Sequence, residues 1–190
     1  MTLGSRLSSL ALAGALVCLA LPASPNLAWA QPVRDGSHDF DFAHGRWHTH
    51  ATSVKDPFEG GTHTVTLDGT KTSHAMWGGK AWVEEIEADG PDGHWEGMTL
   101  FVYNPKAGQW RQVYVDNSGE IDAPTIGSFN GNRGEFYGAE TSHGRNVLVR
   151  GVWTVVSHDE HLYEISLSQD GGRTWVTGFK ADLTRLPDKP

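Results

Sequence analysis

The chain has 190 residues, with 23 acidic against 15 basic side chains and a formal charge of −8 when histidine is neutral. No Lys/Arg cluster rises above that acidic background, which argues against a nucleic-acid partner. The single cysteine, Cys18, excludes an internal disulfide, so stability has to come from packing and backbone pairing.

Residues 1–30 read as a signal peptide. Arg6 precedes an uncharged run from Leu7 to Leu21, too short to span a bilayer comfortably, and Ala28-Trp29-Ala30 supplies the small-x-small pattern of signal peptidase. Cleavage is expected after Ala30, before Gln31, delivering the protein to the periplasm or outside the cell. Cys18 makes a poor lipoprotein signal, because Val17 before it is bulkier than the small residue that lipid-modifying processing takes. With Arg6 set aside, residues 31–190 hold 14 basic and 23 acidic side chains, a formal −9. That length suits one domain with a substantial core. It contains no further apolar run long enough for a membrane span.

At the start of this segment, His38-Asp39-Phe40-Asp41-Phe42-Ala43-His44-Gly45-Arg46-Trp47 alternates aromatic and acidic residues before turning at Gly45. It suits a plug: Phe40, Phe42 and Trp47 close one end of a barrel, while Asp39 and Asp41 cap a short turn or bond its amides. From Trp47 onward, short runs rich in Val, Thr, Trp, Tyr and Phe are separated by turn residues, the signature of strands. They lie at 47–54, 63–67, 70–77, 81–88, 95–103, 109–116, 125–129, 133–140, 146–156, 161–169 and 174–185. The separators Asp68-Gly69, Gly78-Gly79, Asp89-Gly90, Asn104-Pro105, Asn130-Gly131 and Gly171-Gly172 enter tight turns cheaply and favour an antiparallel meander. So many sequential strands must close or sandwich to protect their edges. The fold expected is all-β: one antiparallel up-and-down barrel of about ten strands behind a short plug.

Alternation sorts the later strands into two faces. One carries Trp110, Gln112, Tyr114 and Asp116, then Glu135 and Tyr137, Arg150 and Val152, and Glu164 and Ser166. The other carries Val113, Val115, Val149, Trp153, Ile165 and Leu167. Turned inward, the mixed face encloses a polar, aromatic-walled cavity; turned outward, it is an ordinary solvated exterior. The candidate ligand walls are Trp110, Tyr114, Tyr137 and Trp153, with Arg150 as polar anchor beside Glu135 and Glu164. Simple alternation places Trp153 opposite Arg150. Glu84 and Glu85 adjoin on one strand, so at most one of them faces a cavity.

Ser168-Gln169-Asp170-Gly171-Gly172-Arg173-Thr174-Trp175 fits Ser-x-Asp-x-Gly-x-Thr-Trp, an Asp box. One copy in a domain of this size reads as a hairpin clasp: Asp170 accepts turn amides, Gly172 takes the strained position and Trp175 packs beneath. Ten histidines are present, and His48 and His50 share one strand face at a spacing that chelates a metal if a third ligand converges. No His-Glu-x-x-His or thiolate reinforces that pattern, which favours surface or barrel-mouth histidines. There is no Gly-x-Ser-x-Gly, no haem attachment motif, and no serine set beside His and Asp in a recognisable context.

Several of these elements together resemble a family of secreted bacterial proteins of unknown function built on a calycin-like β-barrel. They are His38-Asp39-Phe40-Asp41-Phe42 with Gly45-x-Trp47, Trp77-Gly78-Gly79, Glu96-Gly97, Tyr103-Asn104-Pro105, Gln109-Trp110, Pro124-x-Ile126-Gly127, Gly134-Glu135-Phe136-Tyr137, Leu148-Val149-Arg150 and the Asp box. Gly45-Arg46-Trp47 also looks like the Gly-x-Trp signature of lipocalins, where the Trp packs across the barrel base. The resemblance implies a fold and a small-molecule pocket; it brings no reaction. Unlike a typical lipocalin, the chain lacks disulfides and an obvious C-terminal helix.

The reading that follows is an exported barrel binding a small apolar or amphipathic molecule, as a monomer or homodimer. Two alternatives stay open. One is a small enzyme of isomerase, hydratase or hydrolase type using Glu135 and Glu164 for acid/base chemistry. The other is a haem- or metal-binding barrel. The sequence names no cofactor and no ligand.

Overall fold

The computed structural model describes residues 34–60, 63–142 and 144–187; the expected signal peptide and its cleavage site lie outside them. Ten strands follow one another: β1 (Gly45–Val54), β2 (Thr64–Met76), β3 (Ala81–Gly90), β4 (Gly93–Asn104), β5 (Gln109–Asp116), β6 (Thr125–Asn130), β7 (Arg133–Ser142), β8 (Arg145–Ser157), β9 (Glu160–Ser168) and β10 (Val176–Arg185). Each pairs antiparallel with its neighbours in sequence, and β1 pairs with β10, closing the barrel. This is the all-β up-and-down barrel that strand spacing and turn chemistry predict, and closure removes both sheet edges. Among the described residues no helix is long and apolar enough to cross a membrane.

One expected turn is absent. Asp68-Gly69 has hairpin composition, yet β2 runs straight through it, merging two expected strands. Gly69 serves a close approach instead: a Cβ there would lie 1.9 Å from the Glu87 carbonyl oxygen on β3. Gly127 does the same on β6, where a Cβ would meet the Glu135 carbonyl oxygen at 1.9 Å. Such glycines let a strongly curved sheet press strand on strand as the barrel closes. Asp89-Gly90 also stays inside a strand, paired with His94 and Gly93, and the β3–β4 turn falls at Pro91-Asp92; Gly78, Gly79, Gly131, Gly171 and Gly172 do take positive φ.

The segment before β1 enters the barrel base. Phe40 is fully buried among Phe101, Trp110, Phe129, Phe136 and Trp153, with ring centroids 4.4 to 6.0 Å away. Offset and edge-on aromatic contacts of this kind add to plain burial. Trp110 Nε1 donates to Gly36 O at 2.9 Å, and Gly36 N donates to the Tyr103 hydroxyl at 2.7 Å, fastening the incoming chain. The acidic residues play a different part from the expected amide caps. Asp39 accepts two bonds from Arg34 (2.7 and 2.6 Å), and Asp41 pairs with His38 at 2.9 Å. The single turn of 3-10 helix over Asp41–Ala43 carries no side-chain cap. From the far end of the chain, Arg185 donates to His44 O (2.7 Å) and Phe42 O (3.1 Å), locking the plug to β10.

Candidate functional site

Strand register decides which side chains reach the interior. Inward positions run through Thr49 and Ala51 on β1, Lys71 on β2, Glu84 and Ile86 on β3, Trp95 and Thr99 on β4, and Gln112 and Tyr114 on β5. They continue through Val149 and Trp153 on β8, Tyr163 and Ile165 on β9, and Phe179, Ala181 and Leu183 on β10. The aromatic core fills the barrel's plug end. Above it remains a cavity of about 220 Å³, walled by Ile86, Trp95, Tyr114, Val149, Trp153 and Ile165. Asp122 and Glu140 stand on its rim, and the carboxyl of each is pushed up, first by burial and then by neighbouring carboxylates.

The floor holds a feature the sequence reading missed. Lys71 and Glu84 are each 1% exposed, and Lys71 Nζ donates to Glu84 Oε1 at 2.7 Å. The same nitrogen lies 3.0 Å from His161 Nε2 and sits near the rings of Trp47 (5.8 Å) and Trp153 (5.1 Å). An ammonium has no acceptor, so His161 Nε2 accepts and its Nδ1 carries the hydrogen. Beside this group, Gln112 Nε2 donates to the Tyr163 hydroxyl at 2.8 Å, and Tyr163 stacks on Trp153 at 4.2 Å. Burial lowers the Lys71 ammonium pKa against the opposing pull of Glu84, and pushes the hydroxyls of Tyr114 and Tyr163 up. Of the adjoining pair, Glu84 faces in and Glu85 out.

His161 gives a measurable signature. Burial, then the positive charges of Lys71 and Arg185, lower its pKa to about 2. In the unfolded chain it protonates near 6.5, so acid favours the unfolded state. Its contribution is full above pH 6.5 and is lost as pH falls from there towards 2. We expect denaturant-derived stability to fall by about 1.4 kcal/mol per pH unit below 6.5 from this one proton. His50 and His94, raised by Asp68 and Asp89, act in the opposite sense. The reading is therefore the difference between wild type and His161→Gln at pH 7, 6 and 5; equal slopes would remove this role.

Two of the expected wall residues, Tyr114 and Trp153, line the cavity. Trp110 points inward but is sealed in the base, fully buried beside Phe40 and Tyr103, below the cavity. Tyr137, Arg150, Glu135 and Glu164 lie on the outer wall, which corrects their expected place. Tyr137 is 47% exposed, and its hydroxyl donates to Glu135 Oε2 at 2.6 Å. Bonds from Tyr137 and Arg133 hold the Glu135 carboxyl below its usual range, the opposite of a general acid. Glu164 pairs with Lys180 at 3.1 Å, and Arg150 stacks over Trp175 at 4.6 Å, so Arg150 is not their shared anchor. The error is one of phase. Each strand's alternation is right, but the inward face of β5, with Gln112 and Tyr114, meets the β8 and β9 faces that carry Val149, Trp153 and Ile165, not those that carry Arg150 and Glu164.

The Asp box is a clasp between β9 and β10. Asp170 accepts from Arg173 N, Thr174 N and Thr174 Oγ1 at 2.7 to 2.9 Å, which holds its carboxyl down at about 2. Trp175 Nε1 closes the loop onto Gly172 O at 3.0 Å. On the outer wall, His50 Nδ1 lies 2.8 Å and His48 Nε2 3.7 Å from one carboxylate, Asp68. Among the described residues no group of three His, Cys, Asp or Glu side chains is placed to hold a metal.

Fold and cavity together define a closed ten-stranded antiparallel barrel with an internal pocket above a plugged base. Residues 38–185 match the family described as "Protein of unknown function (DUF1579)", and the chain belongs to that family. Among solved structures it is similar to an S-type phycobiliprotein lyase from Guillardia theta, with a TM-score of 0.56 at 9% identity, covering 82% of this chain and 95% of that one. Two designed barrels are more distant: one bound to DFHBI (TM-score 0.44, 15% identity, 80% of this chain and 99% of that one) and a de novo fluorescence-activating barrel (0.43, 12%, 80% and 99%). No curated protein matches the chain.

Proposed function

We propose that this protein binds one small amphipathic molecule inside the barrel, apolar body against Trp95, Tyr114, Trp153 and Ile165, polar end on the floor. The observation that carries this reading is the cavity itself: about 220 Å³ bounded by aromatic and aliphatic side chains around a few convergent polar groups. That combination is the usual mark of a ligand site. Its volume is below the roughly 300–1,000 Å³ of pockets for drug-sized molecules, so the occupant is small. The similar phycobiliprotein lyase supports the reading only as a precedent for the architecture.

Native mass spectrometry of protein purified from its own host tests it. A bound molecule displaced by Ile165→Trp, which fills the cavity, is the expected result; identical spectra for both proteins would overturn the reading. The acid/base alternative built on Glu135 and Glu164 loses its geometry, because neither reaches the interior. Among the described residues His161 is the one buried histidine, and its Nε2 is engaged by Lys71, which leaves the haem reading without an axial ligand there. We further propose export after cleavage at Ala30, from the Ala28-Trp29-Ala30 site. A mature N-terminus at Gln31 is expected by terminal sequencing; an uncleaved chain would refute it.

A further inference from the structure

We propose that the cavity floor captures a small aldehyde or ketone as an imine on Lys71. This rests on the ligand-binding reading above and names the substrate class of the same site. Three observations lead to it. First, the floor is already charge-balanced: Lys71 faces Glu84 at 2.7 Å, and both are 1% exposed. An anionic head group there would leave a buried charge uncompensated, and a cationic one would compete with Lys71 itself. The matching polar end is neutral.

Second, three groups at this end of the cavity still have a hydrogen to donate. Thr49 lines the cavity at 4% exposure with its hydroxyl unpartnered, one inward position along β1 from Trp47, which pairs with Lys71 in register. The Tyr163 hydroxyl accepts from Gln112 and keeps its own hydrogen to give. Lys71 uses two of its three N–H groups, on Glu84 and His161. A neutral acceptor surrounded by donors is a carbonyl oxygen.

Third, the nitrogen beside that oxygen is a lysine held in a desolvated, aromatic setting, the environment that favours a nucleophilic amine. An ordinary exposed lysine is free amine in only about one molecule in 2,500 at pH 7. Burial lowers the Lys71 pKa and raises that fraction. The step balances without an oxidant or reductant. Glu84 takes a proton from Lys71, and the amine nitrogen bonds to the carbonyl carbon as the C=O π pair moves to oxygen. Glu84 returns the proton to that oxygen. Glu84 then moves one of the two remaining nitrogen hydrogens to the hydroxyl, the C–O bond breaks as water leaves, and a protonated C=N remains opposite the Glu84 carboxylate.

Benzaldehyde is a suitable probe, since a dry cavity of about 150 Å³ is known to hold benzene. The protein is incubated with benzaldehyde and cyanoborohydride at pH 7, digested and mapped. Benzylation is expected predominantly at Lys71 and only marginally at exposed Lys55 and Lys180, because the cavity holds the aldehyde against the Lys71 nitrogen whereas the exposed amines meet it only from bulk solvent. Label confined to the exposed lysines, or spread evenly, overturns the imine. Benzyl alcohol, of similar shape but without a carbonyl, separates the two levels of the proposal by tryptophan fluorescence titration. If both probes bind and Lys71 stays unlabelled, the cavity stands and the imine falls; if neither binds, both fall. Lys71→Arg keeps a cation opposite Glu84 and is expected to bind benzyl alcohol without the buried label. The mapping on wild type stands whether or not that variant folds.

Discussion

Glu84→Ala is expected to lower unfolding free energy by about 3–5 kcal/mol, the range for removing one partner of a buried ion pair. The cost comes mainly from what is left behind. Without the carboxylate, a charged Lys71 would stand at 1% exposure with only His161 Nε2 and two indole faces for company. Burial then acts unopposed, and the folded state sheds the proton that the unfolded chain holds until about pH 10.4. The unfolded state binds more protons throughout that interval, so the variant should regain stability as pH rises towards 10.4. The double variant Lys71→Met with Glu84→Leu removes both charges and is expected to recover most of the loss, because a well-packed apolar replacement of a buried pair is often neutral. Urea unfolding of the three proteins decides it. Glu84→Ala within 1 kcal/mol of wild type would mean the pair contributes nothing measurable.

Trp47→Ala should also cost about 3–5 kcal/mol, as large aromatic deletions in cores do. Trp47 is fully buried, donates through Nε1 to Ala43 O at 2.9 Å, and packs against Ala51, Ala181 and Leu183. His161 meets its ring edge-on at 4.2 Å, and the Arg185 guanidinium covers it at 4.1 Å. Deleting the indole therefore opens a void at the base and also releases the arginine that ties the plug to β10. Folding should suffer before the cavity does. Calorimetry showing near-wild-type stability would overturn the role; intact probe binding at low temperature in the destabilised variant would agree with it.

The fold was legible because turn chemistry and strand propensity act locally. Gly131 and the Gly171-Gly172 pair take positive φ in the hairpins they announce, and Phe40, Phe42 and Trp47 mark the plug by their pattern alone. The Asp box was legible for the same reason, since every one of its bonds closes within Ser168–Trp175. Asp68-Gly69 misled because its composition suits a turn, whereas its position demands a close strand approach that only the neighbouring β3 reveals. Ending the strand there also hid Lys71, which shares the inward phase of Val65 and Leu67 once β2 is read as continuous.

The residues by themselves determined a closed antiparallel barrel with an aromatic base, because alternation, propensity and turn geometry are properties of neighbours along the chain. They also determined that Glu84 and Glu85 take opposite faces. Only the tertiary structure decided which face of each strand points inward, since that phase depends on register across ten hydrogen-bonded pairings and on the connection between β5 and β6. It moved Tyr137, Arg150, Glu135 and Glu164 to the outer wall. It also brought Lys71, Glu84 and His161, distant along the chain, within hydrogen-bond reach under the cavity.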